Sequence, residues 1–217
     1  MRESSQRVPR RAAKPIPSGP RSDQPGTPLR GRRRGPHLNE HFTRMSGLFG
    51  IGPEDEQAVV RSRGLLRRHV DQIVDEVYRR LLADPETAMH FSDGRAALGN
   101  ANGRVLRANV EMRREAFRGW LVRVVEDPMN ESTSAYVASV GHGHVRQGEP
   151  NAGHIKAGFL LVTMSWVQSL FLAILADGCT DAMDFADQAA AWCRRLMLHL
   201  DLLLAVYSST ETGAHWY

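Results

Sequence analysis

The chain has 217 residues, 42% hydrophobic and 24% charged, with four tryptophans and two cysteines, enough for one globular core of about 150 residues with sequence to spare. Two cysteines exclude a disulfide framework, and no Cys/His pair has zinc-finger spacing, so a reducing cytoplasm is expected. The net charge of +4 is unevenly placed: residues 1–45 hold 11 Lys/Arg against three acids, which leaves about −4 on the rest and no basic surplus there to attract nucleic acid.

Residues 1–45 contain seven of the eleven prolines and few large apolar side chains. Such a segment cannot bury enough surface to offset its ordering entropy, and a disordered basic tail is expected. It has no apolar run of the length that forms a signal-peptide core. Arg32, Arg33 and Arg34 could contact nucleic acid or an anionic surface weakly by counterion release, or simply be solvated. The compositional break at Met45 also fits a chain start there.

Pro53-Glu-Asp-Glu opens a helix, because proline suits the first turn and the acids complement the macrodipole; it is expected to run to about Arg63. A second helix, 65–82, puts Val70, Ile73, Val74, Val77 and Leu81 on one face. Tyr78 lies beside that stripe, either entering the core or at its edge with its hydroxyl in water. A short helix or turn follows at 84–91, then a Gly/Asn-rich loop at 94–103. From about Val105 to Val125 a long helix carries Val110, Phe117, Leu121 and Val124 near one face, with Met112 and Trp120 beside them. Arg113, Arg114 and Arg118 flank it, as a solvated face or as partners for an anionic group.

The stretch Tyr136 to Gly148 reads as a helix ending at a Gly-Glu-Pro breaker. Tyr136, Val140 and His144 fall four residues apart, so the imidazole of His144 ends an apolar stripe. Gly141 and Gly143 weaken the helix by roughly 1 kcal/mol each relative to Ala, a cost that fits a bulky group lying close to the backbone. Taken alone, the pattern reads first as a structural histidine in a helical core. His142 diverges from His144 by about 200° on a helix, so the two cannot serve the same group. A further helix begins at His154, and its body from Phe159 to Leu175 has no charged residue. Its length is marginal for a membrane span, polar residues interrupt it and no positive cluster flanks it, so a central helix buried on several sides is expected. The last helix starts at Thr180-Asp181 and continues to about Ser208, with Phe185, Ala189, Trp192, Leu196, Leu200, Leu203 and Val206 or Tyr207 inward. Residues 211–217 form a short tail. Every element is helical, and the expected fold class is all-α.

The ordered series Val70 to Tyr78, Phe117-Arg-Gly-Trp120-Leu, Tyr136-Val-x-x-Val-Gly-x-His144 and His154-Ile155 before an apolar helix resembles the protoglobins and the sensor globins of globin-coupled sensors. The resemblance covers about residues 50–208. It implies a globin-like fold over residues 46–210 with an extra N-terminal helix, holding haem b. His144 matches the proximal iron ligand, Tyr78 the distal tyrosine and Phe117 a distal-pocket position, with Leu81 and Trp120 near it; Val140 lies on the apolar stripe beside the porphyrin, and Arg113 is suited to a propionate. His154 is expected at a helix start near the haem edge or in solvent. The implied function is reversible binding of O2, CO or NO, as sensor or carrier, with a homodimer formed through the last two helices. NO dioxygenation or weak peroxidase activity is the enzymatic variant. An all-helical regulator binding nucleic acid through the basic arm is the alternative, although no helix-turn-helix with a basic recognition helix is evident. The chain departs from the family in its Gly/Asn-rich residues 94–103, in the basic tail that replaces a longer N-terminal extension, and in a short segment between His144 and His154.

Overall fold

The computed structural model describes residues 36–89, 91, 102–145 and 156–210. Residues 1–35 of the expected tail 1–45, the loop before Asn102, His154 and residues 211–217 lie outside them. Eight helices follow in order: α1 Pro36–Leu48, α2 Pro53–Arg68, α3 Val70–Ala83, α4 Pro85–Met89, α5 Asn102–Glu126, α6 Glu131–Val145, α7 Ala157–Gly178 and α8 Ala182–Thr210, with no strand among the described residues.

Local chemistry accounts for most of the boundaries. Pro53 opens α2, and the Asp55 carboxylate accepts the Gly52 N–H at 2.9 Å. Asp84 accepts the Thr87 N–H at 2.9 Å ahead of α4, Asn130 the Thr133 N–H at 3.1 Å ahead of α6, and Asp181 the Asp184 N–H at 2.8 Å ahead of α8. At the end of α1, Gly50 adopts a φ of 66°. The Ile51 N–H reaches the Ser46 carbonyl at 3.0 Å and the Gly50 N–H reaches that of Gly47 at 3.1 Å, the paired bonds of a glycine-terminated helix.

Helix α8 is the centre of the packing, lying against α1, α2, α6 and α7. Trp192, Leu196, Leu198 and Leu202 are fully buried, and the Trp192 indole donates to the Ser62 hydroxyl at 2.8 Å, fixing α8 on α2. Arg195, only 3% exposed, is held as a buried cation by the Val124 carbonyl at 2.8 Å, by the Asp127 carbonyl and by Glu56 at 3.3 Å. It ties α8 to the end of α5 and to α2.

Three expectations need correction. Residues 36–45, assigned to the disordered tail by their proline and arginine content, form most of α1. Leu38, Phe42 and Met45 pack on the core, and His41 meets Asp201 of α8 at 2.6 Å. Helix α7 is not buried on several sides: Met164, Val167, Phe171 and Leu175 form one buried stripe, while Leu161 (51%) and Val162 (44%) are exposed. A helix body without charges has no charged face to mark its solvent side. By length and composition α7 is the one described helix that could cross a membrane, and its buried stripe is instead taken up by α2, α3 and α8. Met112, placed beside the core stripe of α5, is exposed.

Candidate functional site

The helix faces leave a cavity of about 540 Å³ between them, within the range of pockets that enclose a small organic ligand. Helix α3 contributes Val77 and Tyr78 and, one turn on, Leu81. Helix α5 contributes Arg113, Ala116, Phe117, Gly119 and Trp120, and α6 contributes Tyr136, Val140, Gly143 and His144. Phe159, Leu160, Thr163, Met164 and Val167 of α7, Leu203 of α8, and Thr87 and Phe91 complete the wall. All seven residues singled out in the sequence, His144, Tyr78, Phe117, Leu81, Trp120, Val140 and Arg113, line this one cavity.

The spacing of α6 decides between its two histidines. Tyr136, Val140 and His144 share the cavity face, whereas His142 is exposed and absent from the wall. Burial pushes the His144 pKa down to about 4, and the positive charge of Arg113 adds to the effect. The ring is therefore neutral at physiological pH and keeps a lone pair. Its Nδ1 is sealed from solvent and has no hydrogen-bond partner among the described residues, so the nitrogen His144 can offer the cavity is Nε2. A hydrogen bond from Nδ1 to the carbonyl one turn earlier, the usual support for a metal-bound imidazole, is not made.

The two glycines beside His142 do different work. A Cβ on Gly143 would meet nothing within 4 Å, and Gly143 lines the cavity. A Cβ on Gly141 would sit 3.1 Å from the Leu203 carbonyl and 3.1 Å from Val206. Gly141 therefore lets α6 approach α8, and only Gly143 opens space toward the cavity.

Facing residues form a run of aromatic rings. Tyr78 is buried, with Phe91 at 5.7 Å and Phe117 at 6.1 Å between centroids, and burial raises its hydroxyl pKa, keeping it a neutral donor. Trp120 stacks on Phe117 at 5.5 Å. The three α5 arginines singled out in the sequence divide in role: Arg113 lies on the cavity wall, its guanidinium 5.4 Å from the Phe91 ring centre, whereas Arg118 pairs with Asp71 at 2.6 Å and Arg114 with Asp75, bracing α5 on α3.

Among the described residues the wall carries one imidazole, one arginine and no carboxylate or thiol, and those residues contain no cluster of three or more His, Cys, Asp or Glu that could hold a bare metal ion. Such a site would suit a metal already held in an organic group better than a bare ion. The row from α7 was not singled out from the sequence, though Phe159, Leu160, Thr163, Met164 and Val167 recur at helical spacing. In a helix apolar all round, that recurrence has no contrast.

A family model described as Protoglobin matches residues 38–212. Among solved structures, the globin domain of a Geobacter sulfurreducens globin-coupled sensor is similar, with a TM-score of 0.61 and 20% identity over 76% of this chain and 96% of that one. The ferric globin domain of E. coli DosC has a TM-score of 0.57 and 12% identity, over 78% of this chain and 99% of that one. No curated protein matches. At these identities the likeness carries the fold, a globin fold with an additional N-terminal helix.

Proposed function

The chain belongs to the protoglobin family, and on that premise we propose that it holds one haem b in the cavity and binds a diatomic gas there, as a sensor or carrier. The family implies a haem cofactor. Within this chain the reading rests above all on His144, a neutral imidazole on an apolar cavity wall whose neighbour Gly143 leaves room for a flat group. No cysteine lines the wall to form a thioether, which favours the non-covalent b type.

When bound, the haem supplies an iron with one position for a protein ligand and one for gas. His144 is the residue for the first, through Nε2. Tyr78 offers its hydroxyl as a hydrogen-bond donor, which favours a polar bound gas such as O2 over CO. Phe117, Trp120, Leu81 and Val140 keep water out, and the Arg113 guanidinium receives a propionate. A sensing role is supported by the globin-coupled sensor whose globin domain is similar. A homodimer through α7 and α8 accords with the exposed Leu161 and Val162 on an uncharged helix face, and a reducing cytoplasm with the free Cys179 and Cys193.

Reconstitution with haem tests the assignment. The wild type is expected to give a Soret band and a five-coordinate ferrous spectrum, and His144→Ala to lose that spectrum until imidazole is added. Retention of the same spectrum by His144→Ala would remove His144 as the ligand. Tyr78→Phe is expected to speed O2 release severalfold, by about the free energy of one hydrogen bond, and to change CO release little; equal effects on the two gases would contradict the role of the hydroxyl.

A further inference from the structure

Besides Nδ1 of His144, two sealed polar atoms at or behind the cavity wall have no hydrogen-bond partner among the described residues: Nε1 of Trp120 and Nδ1 of His199. Their rings stand edge to face, with centroids 6.0 Å apart at 80°. His199 projects from α8 into the core, 1% exposed, and its Nε2 lies 3.1 Å from the Met129 sulfur. A thioether has no proton to give, so Nε2 carries the hydrogen and donates it. Burial, aided by the charge of Arg195, pushes the His199 pKa down to about 3, so the ring is neutral. A neutral ring with its hydrogen on Nε2 has a bare lone pair at Nδ1. The indole N–H, conversely, can only donate. Adjacent rings thus hold a donor without an acceptor and an acceptor without a donor, both out of reach of bulk water.

We propose that His199 is a positioning residue for the cavity: its Nδ1 accepts the indole N–H of Trp120 across one buried water and fixes the indole as part of the cavity wall. Trp120 stacks on Phe117 at 5.5 Å, and Phe117 is 6.1 Å from Tyr78. The orientation of the indole therefore passes through one packed ring to the hydroxyl assigned to the gas. This consequence rests on the haem reading; the His199–Trp120 pair does not.

The test is nitrogen-15 NMR of the 217-residue chain as purified, with Trp120→Phe identifying the indole signal. His199 is expected as the Nε2–H tautomer. The Trp120 indole hydrogen is expected to exchange about tenfold faster in His199→Leu, and His199→Gln, whose amide oxygen accepts, to restore slow exchange. An Nδ1–H tautomer, or unchanged exchange in a folded His199→Leu protein, overturns the pair. If His199→Leu does not fold, Trp120→Phe reads the pair from the other side: the His199 Nδ1 resonance must move, and an unmoved resonance overturns the proposal. In haem-loaded protein, His199→Leu is expected to change the O2 dissociation rate severalfold and His199→Gln to leave it near wild type. An intact pair with O2 release insensitive to His199→Leu overturns the positioning role. An intact pair in a protein that takes up no haem overturns the haem reading and leaves the pair standing.

Discussion

His199 makes the fold sensitive to acid. Its pKa in the folded chain, about 3, lies well below the ordinary histidine value of about 6.5. As pH falls through about 6.5 the unfolded chain takes up a proton that the folded chain refuses until about pH 3, so the unfolded state binds more protons and stability declines across that window. The contribution is present in full above the unfolded value and falls by up to about 1.4 kcal/mol per pH unit below it. Urea midpoints at pH 7, 6 and 5 are expected to drop less steeply in His199→Gln than in wild type, and equal slopes would show that His199 is not the group. A sequence displays this histidine among leucines at 196, 200 and 203 but not the indole it meets, which comes from a helix some 80 positions away. The faces of His144 and Tyr78 were legible because one ends an apolar helical stripe and the other lies beside one, but a role for either came only from the resemblance. The tertiary partner of a stripe is what periodicity leaves out.

Helices meet where side chains are small, and α6 gives a matched pair of cases. Gly141→Val would drive side-chain atoms against the Leu203 carbonyl and Val206 and is expected to destabilise by about 1–3 kcal/mol, as overpacking does. Gly143→Ala meets nothing within 4 Å and is expected to stabilise the apoprotein by about 0.5–1 kcal/mol through helix propensity. Thermal unfolding of the two variants checks the contrast; comparable losses in both would mean that Gly143 is also packed. From sequence the two glycines are equivalent, two residues apart on one weak helix, and only the crossing of α6 with α8 separates them. Boundaries were legible at Pro53 and Asp181, but not at α6, where Asn130 caps a helix that begins at Glu131, five residues before the stretch read from Tyr136. They were not legible at α1, where Pro36 and the arginines before it resemble the tail that precedes them, although Leu38, Phe42 and Met45 already carry helical spacing.

In the molecule as a whole, α7 leaves Leu161 and Val162 exposed on a face without charge. Burial of such a face by a second copy is the proposed basis of the dimer. Sedimentation is expected to give a dimer for wild type and a monomer for Leu161→Glu at the same concentration; a monomeric wild type would remove the proposal. The fold class and the order of the long helices from α2 onward were legible because those helices other than α7 show an inner face by contrast, whereas the direction of α7 depends on neighbours the sequence does not name. At the other end of the described chain, the contact between His41 and Asp201 sits two residues along α8 from Leu203, which lines the cavity. Seating of α1 and filling of the cavity thus share one stretch of one helix, and equilibria that share a structural element are reciprocal. If haem shifts the equilibrium between seated and unseated α1 by some factor, seating of α1 raises the affinity for haem by that same factor, and His41→Ala, which disfavours the seated state, is expected to weaken haem binding by no more than that factor. The N-terminal helix then serves as a gauge of cavity occupancy that can be read from outside the protein.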